Sequence, residues 1–124
     1  MSVEKNSNIG VSFKCAFQGI GYALKHNRNL RTHFFIAFLV IVASIFFRVN
    51  AFEMGILGVM ILLVISSEMI NTAIEQMTDL ITREHREEAR IAKDVAAGMV
   101  LVSAIGSIIV GVLIFVPHIL KLIR

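Results

Sequence analysis

The sequence predicts an all-α membrane protein with three transmembrane helices that follow an N-terminal amphipathic helix at the membrane interface. Hydrophobic residues make up 56% of the 124 residues and charged residues 17%, with a mean hydropathy of +0.79. A soluble domain of this size would carry roughly 25% charged residues. Three long apolar runs follow one another, with lysines and arginines at their edges. We expect one membrane-embedded domain over residues 1–124.

The composition excludes several kinds of protein. The apolar excess argues against a disordered chain and an ordinary cytosolic enzyme. The net charge of +3 is not gathered into a basic patch with interleaved aromatic residues, so we expect no nucleic-acid partner. The single cysteine, Cys15, rules out a disulfide within the chain and a CxxC motif. Residues 1–14 lack the apolar core and cleavage site of a signal peptide, so we expect none.

The first predicted element is an interfacial helix over residues 11–28. Apolar side chains recur there at i, i+4, i+7 and i+11, which places them on one helix face: Phe13, Phe17, Ile20 and Leu24. Ser12 is a suitable N-cap residue. We expect the apolar face to lie on the membrane, with a short soluble helix packed on the bundle as the alternative.

Three membrane spans are expected, because about 20 mostly apolar residues cross the hydrocarbon core. They cover residues 30–48, 54–80 and 93–116, and Pro117 is expected to end the last one. The segment before the first span has five lysines and arginines, the next turn has one, the loop at 82–94 has four and the C-terminal tail has two. The positive-inside rule therefore places the N-terminus and the 82–94 loop in the cytoplasm of a cell inner membrane, and the C-terminus outside.

The second span carries a stripe of polar residues at its cytoplasmic end. At 100° per residue, Glu68, Asn71, Glu75 and Asp79 project within about 80° of one another. A charge inside a span costs at least ~2.5–3.5 kcal/mol, so Glu68 is a functional candidate, whereas Asp79 has the alternative of facing water. Three carboxylates on one face repel each other unless a cation intervenes, and Mg²⁺ prefers oxygen ligands of this kind.

Other residues extend this picture. Lys93 and Asp94, just before the third span, are expected to return to the membrane face of the stripe, where Lys93 could meet phosphate charge; for Asp94, ordinary helix capping is the alternative. Small residues recur every four positions on the third span, which favours close helix packing in an oligomer: Ser103, Ser107 and Gly111. No histidine pairs with an acid or a cysteine at the spacing of metal ligands, so we expect all four histidines to be structural or interfacial.

Several strings of the sequence resemble one known family. EMINTAIEQMTD at 68–79, AKD at 92–94, SFKCAFQGI at 12–20 and RNLRTH at 28–33 are similar to the signature of the small prokaryotic diacylglycerol kinases and undecaprenol kinases. The family pattern reads roughly E-x-[apolar]-N-[ST]-A-[apolar]-E-x-x-V-D. The resemblance implies a homotrimer that transfers the γ-phosphate of Mg-ATP to the hydroxyl of a membrane lipid. No P-loop or protein-kinase motif is present.

The resemblance also implies roles for the residues of the stripe. Glu68 corresponds to the general base that accepts the proton of the lipid hydroxyl, and Glu75 to a residue that holds Mg²⁺ on the nucleotide phosphates. Asn71 is expected to orient Glu68 or the lipid hydroxyl. Arg31, in the RNLRTH string, is expected to contact the substrate.

Further residues correspond to the nucleotide and metal sites of the family. Glu84, Lys93 and Asp94 fall where the family binds the nucleotide. Asn27 stands where the family usually has a second metal-binding glutamate, and we expect it to take that place as a neutral, weaker ligand of the metal and nucleotide. This departure puts the two-residue metal site in question.

Three function classes compete at this point. The first is an ATP-dependent lipid kinase, with undecaprenol favoured over diacylglycerol because the FKxAFQGI string is more similar to that branch. The second is a small oligomeric transporter whose buried carboxylates bind protons or cations. The third is a non-catalytic membrane assembly protein, in which Glu68 would have no use.

Overall fold

A computed structural model describes residues 8–124 and contains four α-helices in this part of the chain. They are α1 (Ile9–His26), α2 (Arg28–Phe46), α3 (Ala51–Ile81) and α4 (Glu87–Ile123). The last three are long and apolar enough to cross a membrane. The predicted class, three candidate spans after an N-terminal helix, is confirmed. Lys5, which entered the orientation count, lies outside the described residues.

The first two helices begin and end earlier than expected, and Asn27 alone separates them. Asn8 caps α1 in place of Ser12, since its side-chain oxygen accepts from the backbone N–H of Gly10 at 3.1 Å. At the other end, the backbone N–H of Asn27 donates to Ala23 at 2.8 Å. The same residue then caps α2, because its Oδ1 accepts from the N–H of Leu30 at 3.1 Å. One residue thus closes one helix and starts the next.

The turn between α2 and α3 explains why the first span stops at Phe46. Arg48 has a φ of 52°, the left-handed conformation that commonly ends helices. Its N–H donates to Ile45 and the N–H of Val49 to Ser44, which are the two bonds of a Schellman motif. Asn50 then starts α3 with a reciprocal capping box.

The fourth helix differs most from its expected limits of 93–116. It begins at Glu87, so Lys93 and Asp94 lie inside it and Asp94 does not cap its start. Pro117 does not end the helix, which continues to Ile123. Proline removes one backbone donor, a loss that membrane helices tolerate. In the same turn, the ring Nδ1 of His118 donates to the carbonyl of Ile114 at 2.8 Å.

Helices α3 and α4 pack antiparallel and form the main contact of the chain. Ser67 and Ser103 hydrogen-bond between them at 2.8 Å and are both buried. Ser107 and Gly111 line a small cavity between α2, α3 and α4. Of the small-residue face of α4, Ser103 thus packs against α3, whereas Ser107 and Gly111 border a cavity. Most large apolar side chains remain exposed, as expected of surfaces that face lipid or further protein.

Candidate active site

The carboxylate of Glu68 is the most deeply buried charged group in the described part of the chain. Glu68 is 2% exposed, although it lies on α3 among apolar residues. A buried carboxylate requires hydrogen-bonding partners. The Nδ2 of Asn27 donates to its Oε2 at 3.0 Å. The Nε2 of His33 lies 3.5 Å from its Oε1, a pairing that the sequence analysis did not expect.

Thr72 completes this cluster one turn further along α3. Its Oγ1 accepts from the Nδ2 of Asn27 at 2.7 Å and donates to the backbone carbonyl of Glu68 at 3.0 Å. Asn27 therefore contacts the side chain of Glu68 directly, and the hydroxyl of Thr72 links it to the backbone carbonyl of Glu68. The start of α2 and the middle of α3 are joined at this point by three side chains.

Two further residues of the stripe follow towards the end of α3. Asn71 is 7% exposed; its Nδ2 donates to Glu75 Oε1 at 3.5 Å, while its buried Oδ1 has no hydrogen-bond partner among the described residues. Glu75 is exposed, and no lysine, arginine or histidine of the described chain forms an ion pair with it. The amide oxygen of Asn71 and the carboxylate of Glu75 are therefore available to bind a ligand.

The helix rise gives the depth of each residue. At 1.5 Å per residue, Glu68 lies about 26 Å along α3 from Ala51 and Glu75 about 36 Å. A hydrocarbon core of about 30 Å that starts near Ala51 would end between them. Glu68 then lies just inside the apolar layer and Glu75 just outside it. This is the level at which a lipid hydroxyl meets a water-soluble phosphate.

A polar cleft lies beyond the stripe, where α3 ends and α4 begins. Its walls include Asp79, Glu84, Lys93 and Asp94 together with several arginines. Lys93 Nζ donates to Asp79 Oδ1 at 2.6 Å, which neutralises the last carboxylate of the stripe. In this cleft the structure brings together the three expected nucleotide residues.

The acidic residues of the cleft have basic partners of their own. Asp94 accepts from Arg90 at 3.0 Å, and Glu84 from Arg86 at 3.3 Å. Arg83, Arg86 and Arg90 line the cleft, although the sequence analysis used them only to orient the chain. The sequence does contain a signal for this basic cleft, since four basic residues occur within residues 83–93.

Two other expected residues, Arg31 and Asn27, lie outside this cleft. Arg31 donates through one guanidinium nitrogen, Nη1, to the carbonyls of Leu24 and Lys25, at 2.7 and 2.9 Å, and so binds the end of α1. Asn27 contacts Glu68, and none of its hydrogen bonds reaches Glu75. Among residues 8–124 no group of three or more His, Cys, Asp or Glu side chains could hold a metal ion.

An apolar cavity of about 90 Å³ extends from His33 towards the other end of the bundle. Side chains of α2, α3 and α4 form its wall, among them Val40, Leu57 and Phe115. His33 lines this cavity and also contacts Glu68, so it connects the apolar space with the buried carboxylate. Sequence reasoning assigned His33 no chemical role.

Comparison with known proteins assigns the chain to a family. The family model described as prokaryotic diacylglycerol kinase matches residues 14–115. A diacylglycerol kinase of Synechocystis sp. is 40% identical over 116 residues, which cover 93% of this chain and 66% of that protein. The chain thus spans slightly less than two thirds of this relative's length.

Two further relatives are covered more completely. An undecaprenol kinase of Bacillus subtilis is 40% identical over 106 residues, 86% of each chain. A diacylglycerol kinase of Haemophilus influenzae is 29% identical over 106 residues, 84% of this chain and 90% of that protein. A kinase family implies ATP as phosphate donor and a lipid as acceptor. The chain belongs to the prokaryotic diacylglycerol kinase family of multi-pass membrane lipid kinases, which are phosphotransferases with an alcohol group as acceptor.

Proposed function

We propose that the chain transfers the γ-phosphate of Mg-ATP to the hydroxyl of a membrane lipid, with undecaprenol favoured over diacylglycerol. The observation that carries this proposal is the burial of Glu68 in contact with His33, which lines an apolar cavity, about 10 Å along α3 from an exposed carboxylate, Glu75. A lipid hydroxyl and a nucleotide phosphate require these two environments next to each other. Neither a transporter nor an assembly protein requires both.

Glu68 acts as the general base in this proposal. As the lipid oxygen attacks the γ-phosphorus, its proton moves to Glu68, the new O–P bond forms, and the bond to the bridging oxygen breaks to release ADP. Oε2 accepts from Asn27 at 3.0 Å, whereas Oε1 has only the longer contact to His33 at 3.5 Å. Oε1 is therefore the oxygen we assign to the lipid hydroxyl.

Asn71 is proposed to orient the lipid hydroxyl. Its Oδ1 is buried without a partner, which costs free energy unless a ligand donates to it. Its Nδ2 donates to Glu75 and not to Glu68. Of the two roles expected for Asn71, the contact to the lipid therefore has the better support.

Glu75 is the proposed protein ligand of Mg²⁺. The donor set fits, because Mg²⁺ binds through one or two carboxylates plus phosphate oxygens and keeps several waters. Glu75 is exposed at the end of the apolar layer and lacks a cationic partner among the described residues. When bound, the ion would neutralise charge that develops on the phosphates during transfer.

The cleft at the start of α4 is proposed to bind the nucleotide. Lys93 would exchange its contact with Asp79 for a phosphate oxygen, and Glu84 and Asp94 would contact the rest of the nucleotide. Arg31 is proposed to contact the substrate through the guanidinium donors that remain beside its bonds to α1.

The preference for undecaprenol rests on two observations. The FKxAFQGI string at 13–20 is similar to the undecaprenol kinase branch. The match covers 86% of the undecaprenol kinase but 66% of the diacylglycerol kinase of Synechocystis sp., although each relative is 40% identical to this chain.

We further propose a homotrimer with its active sites on the cytoplasmic side. Glu75 and much of the apolar surface are exposed on one chain, which further copies would cover. The N-terminus and the segment before α4 would be cytoplasmic and the C-terminus outside, because basic residues are most frequent around α1 and in residues 83–93.

Phosphate transfer in mixed micelles tests the proposed reaction. Purified protein receives γ-labelled Mg-ATP with undecaprenol and diacylglycerol offered at equal concentration, and the labelled lipids are separated. We expect both to react and undecaprenol to give the larger kcat/KM. A larger value for diacylglycerol would overturn the preference, and no transfer to either lipid by folded protein would overturn the proposal itself.

A further inference from the structure

We propose that Asn27 is a positioning residue that holds the Glu68 carboxylate, and that it does not bind the metal ion. The proposal rests on the function proposed above, in which Glu68 is the base. It departs from the role that the family resemblance implies for this position.

Both polar atoms of the Asn27 side chain are engaged within the chain. Its Nδ2 carries two protons, and these serve Glu68 Oε2 at 3.0 Å and Thr72 Oγ1 at 2.7 Å. Its Oδ1 accepts from the N–H of Leu30 at 3.1 Å. The amide group bridges the start of α2 and the middle of α3.

These partners determine the orientation of the amide. The N–H of Leu30 can only donate, so the Asn27 atom that faces it is the oxygen. Rotating the amide by 180° would place two donors against each other at Leu30. The nitrogen therefore faces Glu68, and it is the oxygen, the atom a metal would need, that faces away from it.

The surroundings of that oxygen do not suit a divalent cation. It lies at the N-terminus of α2, where the helix dipole is positive and favours anions. Leu30, whose N–H it accepts from, is 0% exposed. Mg²⁺ is usually bound through carboxylates and phosphate oxygens, whereas the Asn27 oxygen is neutral and already accepts from the N–H of Leu30. Glu75, the proposed metal ligand, makes no hydrogen bond with Asn27.

The consequence concerns the geometry of the base. Glu68 is a long side chain, and in an apolar layer its carboxylate would be free to turn without an anchor. The bond from Asn27 fixes Oε2, which leaves Oε1 facing His33. Removing the amide should therefore reduce the rate of the chemical step and leave metal binding unchanged.

Asn27→Ser is the main test, because serine retains an N-cap oxygen and removes the amide donor. We expect kcat to fall about 10- to 100-fold, the loss typical of a hydrogen bond to a charged group. The KM for ATP is expected to stay within about twofold, as is the dissociation constant of Mn²⁺, measured by electron paramagnetic resonance with a non-hydrolysable ATP analogue. Asn8→Ser, the same change at the N-cap of α1, is the matched control and should leave all three values unchanged.

Asn27→Asp provides an independent test. It keeps the capping oxygen but places a second carboxylate against Glu68, so we expect a larger loss of kcat than in Asn27→Ser. Full activity in either variant, or Mn²⁺ binding weakened about tenfold in Asn27→Ser, would overturn the proposal. If Asn27→Ser does not fold, Asn27→Thr makes the same test. If the wild-type protein is inactive, the proposed function is contradicted. If the wild-type protein is active but Asn27→Ser weakens Mn²⁺ binding, only the role inferred for Asn27 is contradicted.

Discussion

Replacing Lys93 with methionine separates a role in nucleotide binding from a role in folding. Lys93 and Asp79 form an ion pair that joins α3 to α4, but their side chains are 40% and 55% exposed. Exposed pairs of this kind contribute about 0.2–1 kcal/mol, so the melting temperature should change little. A lysine that binds a phosphate oxygen makes a charged hydrogen bond of about 1.5–3 kcal/mol. We therefore expect the KM for ATP to rise about 10- to 100-fold.

The assay is phosphate transfer from labelled ATP in mixed micelles, with thermal unfolding followed on the same samples. Lys121→Met, which removes a lysine near the opposite end of α4, is the matched control and should leave the KM unchanged. Asp79→Asn removes the same ion pair without removing the lysine, and should leave the KM close to that of the wild type. The reasoning is refuted if Lys93→Met lowers the melting temperature strongly while the KM for ATP stays constant.

Three further changes test other parts of the account. Arg48→Gly should stabilise the protein by about 1 kcal/mol in thermal unfolding, because glycine adopts a φ of 52° without strain; a loss of stability would contradict this. Glu75→Gln should weaken Mn²⁺ binding in the presence of a non-hydrolysable ATP analogue by at least about tenfold, and unchanged binding would exclude Glu75 as the ligand. A double-mutant cycle of Ser67→Ala and Ser103→Ala should give a coupling of about 0.6 kcal/mol, whereas zero coupling would mean that their bond adds no stability.

The number and type of the helices could be predicted because both depend on local periodicity and length. An apolar run of about 20 residues indicates a span wherever it occurs in a chain. The first and last residues of each helix were harder to predict, because hydropathy detects only the part of a helix that lies inside the membrane. Helix α4 begins at Glu87 with a charged turn, and this extension outside the apolar layer has no hydropathy signal. The prediction that Pro117 ends the last helix was wrong because a membrane helix tolerates a proline within it.

The stripe on α3 could be predicted from the sequence, because residues 68–79 belong to one helix and their directions follow from its periodicity. The contacts of Glu68 could not, since Asn27 and His33 lie 41 and 35 positions before it in the chain and only the tertiary fold brings them together. The capping role of Asn27 was local and within reach of prediction. Its bond to Glu68 depends on how α2 packs against α3.

The account depends most on Glu68 as the group that accepts the lipid proton. Glu68→Gln keeps the size of the side chain and an acceptor for Asn27, so folding should be retained. The most direct measurement is the rate of phosphate transfer to the preferred lipid by this variant and the wild type, under saturating Mg-ATP. We expect kcat to fall by at least about 100-fold, with the KM for ATP nearly unchanged. A kcat within about threefold of the wild-type value would contradict it.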